Sequence, residues 1–382
     1  DLHKAIRRQR QMCIRDRTTF VLIQSESHMT KHISKCLLAI LIALTACTPK
    51  LTDIEAICEN INDSHYIIKW EVWPDVHGHV DIYASTDPKK FDLESQPIAR
   101  CKISDKICDI NVDKTPQARY YFLLQFNNRY NYIVATRAPR IKNICNLRDL
   151  GGYENEQKKV VKWGFLFRSG CIHNVDSTGT KKLNSLGIRT LIDFNDHSRF
   201  SIPDSGLKIG QIKHLPINLI TTSHIYERLK NETLRRGDAN IFLQDLFITL
   251  IDSGKPLYRE MFDILLDEDN YPVILSDKFG KDYVGFASAL ILSALNIPEE
   301  TIYDDFILSN QYLDRRAISF DCAECSTDTQ EAATALMTVR KRQLFCAIRR
   351  IKQRYGSLQQ YLREEMDLTP EKQEKLQNIL LY

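Results

Sequence analysis

The sequence predicts two folded parts: a small all-β sandwich, followed by an α/β domain with a central parallel sheet. Three observations carry this. Between residues 60 and 140, short runs rich in β-branched and aromatic residues are separated by Gly, Pro, Asn and Asp. From residue 141 onward, strand-like and helix-like patterns alternate, as they do where crossover helices join parallel strands. Within that second part, VILSDKFGKDYVGFASALILSAL (residues 273–295) reads as a strand, a tight glycine-containing loop and a helix. Loop amides that converge on a helix N-terminus make a ready anion site.

Composition sets the outer bounds. The chain has 382 residues, which predicts two or three domains. It is 43% hydrophobic and 26% charged, the balance of a globular protein. A net charge of +3 with no basic stripe argues against a nucleic-acid partner. No low-complexity tract or internal repeat is present.

Residues 1–28 are polar and basic without a steady period, and they are set aside from the fold. Their MCIRDR resembles translated adapter sequence; a disordered basic tail is the alternative. Residues 29–47 read MTKHISKCLLAILIALTAC. Lys31 and Lys35 precede an apolar run at residues 36–43, too short to span a bilayer and of the length of a signal-peptide core. The closing Leu-Thr-Ala-Cys resembles a bacterial lipobox, so cleavage before Cys47 and lipid on that cysteine are expected. A buried apolar helix is the alternative. The expectation is a lipid-anchored protein of the bacterial cell envelope, periplasmic or surface-exposed, with residues 48–59 as tether. Eight cysteines would then remain: Cys58, Cys101, Cys108, Cys145, Cys171, Cys322, Cys325 and Cys346. An oxidising compartment permits disulfides among them, with connectivity open. Cys322 and Cys325 form a CAEC pair, read as a surface disulfide or two free thiols, since one pair lacks the second that structural zinc needs.

The β part (residues 60–140) contains YIIKWEVW, HVDIYAST, ICDINV, RYYFLLQF and NYIVATRA. Short strands at this spacing suggest a sandwich. The segment resembles a fibronectin type III or immunoglobulin-like module, and reads as a spacer rather than a ligand site. An exposed linker is expected near residues 136–145. The second part (residues 141–382) contains a helical DSTGTKKLNSLG, the strand IRTLIDF, and one long helical region, IFLQDLFITLIDSGKPLYREMFDILL. The strand YPVILS, a helix from Gly280 and an all-helical C-terminus from Glu331 follow.

Four segments in that second part occur in order: NLRDLGGY (146–153), WGFLFRSG (163–170), LGIRTLIDF (186–194) and the loop at Gly280, followed by RYGSLQQYLREEMDLTPEKQEKLQNILL. Together they resemble the bacterial tyrosine/serine phosphatase family, which includes dual-specificity and phosphoinositide phosphatases. The resemblance covers residues 141–382 and implies a cysteine-dependent phosphatase fold. In that family the loop reads His-Cys-x-x-Gly-Lys-Asp-Arg-Thr-Gly. The cysteine thiolate attacks phosphorus, the arginine grips two phosphoryl oxygens, and an acid protonates the leaving oxygen. Here the loop reads Ser276, Asp277, Lys278, Phe279, Gly280, Lys281, Asp282, Tyr283, Val284, Gly285. Gly280, Lys281, Asp282 and Gly285 match. The nucleophile position holds Asp277 and the arginine position holds Tyr283. The earlier Asp-Leu-Arg of the family stands here as Asp193-Phe194-Asn195.

Tyr283 cannot form a bidentate guanidinium fork, and an aspartyl nucleophile normally needs a metal to offset its repulsion of phosphate. The expected reading is a pseudophosphatase acting in binding or scaffolding, with Asp277 and Asp282 as the remnants of a catalytic site. In that reading the Asp277 carboxylate caps the loop amides, with Lys278 and Lys281 near enough to neutralise it. Two alternatives stay open: an active phosphatase with an atypical loop, and a surface module acting through its β-sandwich. Expected partners are a phosphorylated protein or a phosphoinositide, and a membrane through the lipid anchor. No cofactor and no metal ligand set is expected. His173, His214 and Arg168 read as structural, and VRKRQLFCAIRRIKQR as a helix with a solvated basic face.

Overall fold

The computed structural model describes residues 53–112, 119–173, 175–195, 206–217, 219–313 and 325–382. The leader, the lipobox with Cys47, and Cys322 of the CAEC pair lie outside the described residues. Among the described residues, no helix is long and apolar enough to cross a membrane.

The N-terminal region is all β. Strands β1 (Asp53–Asn60), β2 (His65–Trp73) and β5 (Ile107–Asn111) form an antiparallel sheet in the order β1-β2-β5. Strands β3 (His79–Ser85), β4 (Ala99–Lys102), β6 (Tyr121–Phe126) and β7 (Tyr130–Ala135) form a second, ordered β4-β3-β6-β7. Alternate residues of both sheets, such as Ile68 and Trp70 of β2 with Phe122, Leu124 and Phe126 of β6, are buried in one apolar cluster. A Cys101–Cys108 disulfide ties β4 to β5. The strand β1 occupies the segment read from sequence as tether. Its apolar residues are sparse, and it owes its place to register with β2, Asp53 opposite Trp73 and Asn60 opposite Tyr66.

The C-terminal region is α/β. Its sheet runs β11 (Gln211–His214), β10 (Thr190–Asp193), β12 (Val273–Ser276), β9 (Leu166–Ser169), β8 (Arg148–Asp149). The first four are mutually parallel and β8 is an antiparallel edge. Successive residues feed opposite faces. Val273, Leu275 and Ile192 enter the large core on one side, while Ile274, Leu191 and Phe167 enter a smaller core on the other. The helices are α1 (Ser177–Ser185), α2 (Ile220–Lys230), α3 (Arg236–Ser253), α4 (Lys255–Leu265), α5 (Tyr283–Ala294), α6 (Glu299–Tyr312), α7 (Thr327–Leu336), α8 (Lys341–Tyr355), α9 (Leu358–Glu365) and α10 (Pro370–Leu380). Helix α5 is buried along its length from Val284, which explains its unbroken apolar sequence. The long helical region expected from residue 241 is two helices. The chain turns at Gly254, and Pro256 opens the first turn of α4, where its missing N–H costs nothing.

The two regions are joined by buried polar contacts. Arg119 donates to the Asp149 carboxylate (2.7 Å) and to the Thr136 carbonyl (2.8 Å), and both Arg119 and Asp149 are buried. The Trp163 indole donates to the Ile133 carbonyl (3.0 Å). The expectation of an exposed linker at residues 136–145 is corrected by this packing. Thr136, Ile141 and Ile144 are buried, and Arg137 donates to the carbonyls of Asp149 and Gly151. The chain is held there because it supplies partners for buried polar groups on both sides. The β region thus docks on residues 149–164, beside the start of β9.

Candidate functional site

All four residues of β12 are buried, and the strand lies between β10 and β9. Register pairs Ser276 with both Asp193 and Ser169, so three strands finish at one level. The loop 277–282 leaves from that edge, the carboxyl end of a parallel sheet, where open α/β sheets bind ligands. At Gly280 φ is +68°, and a Cβ there would lie 2.5 Å from the Ser169 carbonyl carbon. Only glycine allows the loop to pass so close to β9 in that conformation.

Asn146, just before β8, and Arg168 of β9 hold the loop from behind. Asn146 donates to the carbonyls of Phe279 (3.1 Å) and Gly280 (2.6 Å), and Arg168 donates to the Gly280 carbonyl (2.7 Å). The Ser276 hydroxyl donates to the Gly170 carbonyl (3.1 Å). Arg168 also donates to the Asp305 carboxylate (2.8 Å) from β9, and Arg148 reaches the same group from β8 (3.1 Å). Tyr153 adds a third donor (2.9 Å). Arg148 and Arg168 are fully buried. Burial alone would raise the Asp305 carboxyl, but Arg148 and then Arg168 hold it well below the usual carboxylate range. Burial, with Arg148 nearby, brings the Arg168 guanidinium down to about 10, which still leaves it charged at neutral pH.

Asp277 turns its side chain inward and is 3% exposed. One carboxylate oxygen accepts from the amides of Phe279 (2.9 Å) and Gly280 (2.5 Å), and the other accepts from Val284 (2.8 Å). The residue just before α5, Asp282, makes no side-chain cap, so Asp277 caps this helix from five residues upstream. Burial pushes the Asp277 carboxyl above its ordinary range, the charge of Asp282 adds to that, and the three amides pull the other way.

The remaining loop residues point elsewhere. The Lys281 ammonium is buried against the Asp282 carboxylate (2.6 and 2.7 Å). That of Lys278 lies 4.0 Å from the ring centroid of Tyr226 on α2. Lys281 is thus paired with the carboxylate beside it, Lys278 stands over an aromatic face, and the Asp277 carboxylate is met by three amides. Tyr283 packs against the core, and its carbonyl accepts from the Tyr258 hydroxyl (3.1 Å). Phe279 and Val284 are buried, and a Cβ on Gly285 would lie 2.9 Å from the Phe306 ring. Beside the loop, Asp193 accepts from the Asn195 side chain (2.6 Å) and lies 3.3 Å from the His214 ring. Cys171 is a buried thiol pushed up to about 12, by burial first and then by Asp193. His173 is exposed, and Cys325 carries a free thiol.

Sequence reasoning marked the loop but not the residues behind it. Asn146, Arg148, Arg168 and Asp305 assemble from three separate segments. The signal was in two quoted motifs: Asn146 and Arg148 belong to NLRDLGG, and Arg168 to FRSG.

The profile of the tyrosine phosphatase family matches residues 139–382. A Cupriavidus necator protein, provisionally named a tyrosine-protein phosphatase, is 27% identical over 237 residues, covering 59% of this chain and 82% of that protein. Among solved structures, the core catalytic domain of the PP-IP phosphatase Siw14 from S. cerevisiae, in complex with citrate, aligns at 13% identity. It covers 50% of this chain and 88% of its own, with a TM-score of 0.23. A second structure of the Siw14 catalytic core covers 57% and 95% at 10% identity, with a TM-score of 0.25. Scores this low carry no argument about this chain, and the assignment rests on the profile, which spans well over half of the sequence. With its loop between β12 and α5 and its motifs in order, this chain belongs to the tyrosine phosphatase family.

Proposed function

We propose that this chain is a lipid-anchored pseudophosphatase: a phosphatase-family domain that binds or scaffolds and does not hydrolyse phosphate monoesters. The observation that carries the reading is the Asp277 carboxylate, buried and accepting from three amides of the loop. Those are the donors that would cradle a phosphoryl group. A nucleophile must face its substrate, and both oxygens of this carboxylate face the loop. Tyr283 stands where the family places the arginine, and losing one preorganised donor of transition-state charge costs about two to three orders of magnitude in turnover. The same carboxylate repels an incoming phosphate.

The envelope location rests on the lipobox resemblance at Cys47. The Cys101–Cys108 disulfide supports it, because an oxidising compartment permits that bond. The shared core of the two antiparallel sheets supports a fibronectin type III-like sandwich acting as spacer. The expected ligand is a phosphorylated protein or a phosphoinositide, bound without turnover and only weakly through its phosphate, because Asp277 already occupies the loop amides.

Hydrolysis of a phosphotyrosine peptide and of a phosphoinositide by the untouched protein tests the reading. Background rates are expected. Robust turnover that Asp277→Ala removes would make Asp277 a nucleophile and end the pseudoenzyme interpretation.

A further inference from the structure

We infer that the edge of the β region at Trp73 is a membrane-facing surface, and that it turns the loop 277–282 away from the bilayer. The inference rests on the proposed lipid anchor at Cys47. Three tryptophans occur in the chain. Trp70 and Trp163 are buried, whereas Trp73 is 63% exposed at the end of β2. Register places it opposite Asp53, the first residue of β1. Five residues separate Asp53 from Cys47, and even fully extended that connection reaches at most about 22 Å. A lipid on Cys47 therefore keeps the Asp53–Trp73 end near the membrane surface. An exposed indole, apolar with one N–H donor, is the side chain best suited to the headgroup boundary. Charge adds little there, since the edge is mixed: Lys158 lies 3.9 Å from Asp53 and 2.6 Å from Glu154.

The same edge fixes where the loop points. Lys158 belongs to a turn between Glu154 and Val160, which pair across it. That turn is bonded to the far end of α5: Asn155 donates to the Leu295 carbonyl (3.1 Å), and the Glu156 amide donates to the Asn296 carbonyl (3.1 Å). Helix α5 begins at the loop and runs 12 residues, about 18 Å of helix. The anchored end therefore meets the finish of α5, and the loop lies at its start. With Trp73 at the lipid, the loop opens to the aqueous side. Of the two ligand classes proposed above, this orientation selects the phosphorylated protein over a headgroup of the same membrane.

Quenching of tryptophan emission by brominated lipid tests the surface directly. The chain, metabolically labelled with a radioactive fatty acid, is reconstituted into phosphatidylethanolamine/phosphatidylglycerol vesicles whose phospholipid acyl chains carry bromine near the headgroup end. The wild type is expected to be quenched, and Trp73→Phe to lose that quenching while staying labelled and vesicle-bound. Label and vesicle binding with equal quenching in both proteins would overturn the Trp73 surface and leave the anchor standing. Absence of label in the wild type, matching Cys47→Ser, would overturn the anchor and this inference with it.

Discussion

Replacing Asp277 with alanine strips three buried amides of their acceptor in one step. Left unsatisfied, each donor costs about 1–3 kcal/mol, and the sum sets a ceiling of about 9 kcal/mol. Two effects lower it. Losing an N-cap side chain costs about 0.5–2 kcal/mol in practice, because water reaches the freed amides. Burial has also raised the Asp277 carboxyl, so the ionised group gives up part of its hydrogen-bond energy to desolvation. We expect a loss of about 3 kcal/mol, between the N-cap figure and that ceiling. Urea unfolding followed by circular dichroism measures it. Phosphate supplies a second readout, because removing the carboxylate opens the amide nest to an external anion. At 100 times its Kd a bound anion stabilises by about 2.7 kcal/mol, and that rescue is expected in Asp277→Ala and not in the wild type. The pH dependence has a definite sign. A carboxyl raised on folding binds more protons in the native state across the window from its ordinary value to its raised one. Wild-type stability therefore falls as pH rises through that window, and Asp277→Asn lacks the slope. A cost below about 0.5 kcal/mol for Asp277→Ala, typical of an exposed position, would show that the carboxylate is not held as described.

Other outcomes follow from the same contacts. Asp277→Cys combined with Tyr283→Arg restores the family loop on the retained Gly280-Lys281-Asp282 frame, and phosphotyrosine turnover above wild type is expected; an inert double variant would mean that the pocket has changed as well. Asp305→Asn removes a carboxylate shared by two buried arginines and should cost about 3–5 kcal/mol at neutral pH. Because the Asp305 carboxyl is depressed on folding, that difference should narrow as pH falls below the ordinary carboxylate range. Calorimetry should show one unfolding transition for the chain, and Arg119→Ala, which strands buried Asp149, should lower its midpoint; two wild-type transitions would refute the coupling of the β and α/β regions. Gly280→Ala drives a Cβ against the β9 backbone at positive φ and should destabilise by more than about 1 kcal/mol in thermal melts.

What was legible in the sequence was local. A strand, a glycine and an apolar helix within 23 residues located the loop, since each signal lies within a few residues of the next. Strand β2 and helix α5 could be read because burial fixes their pattern. Strand β1 could not: DIEAICEN alternates weakly and depends on β2 for its place. Strand β11, QIKH, is a half-exposed edge with the same defect. Long-range partners were also hidden. The links from Arg168 to Asp305 and from Arg119 to Asp149 join residues far apart in sequence, and nothing in either neighbourhood names the other. Lys281 shows the converse: of two acids close to it in sequence, the one it binds is the adjacent Asp282.

The buried arginines behind the loop carry a consequence for which residues this position can hold. Among the described residues, Arg148 and Arg168 bring two positive charges to the single acid Asp305. That leaves a surplus of one, facing the loop, and a phosphate ester would cancel it in a working relative. Where no ester is bound, the surplus must be met from within, and the Asp277 charge favours the charged form of Arg168. Neutral side chains at position 277 leave an unbalanced cation in the interior, whereas an acid restores neutrality. An acid at position 277 therefore has a buried cation, Arg168, for a neighbour, although burial still raises its carboxyl.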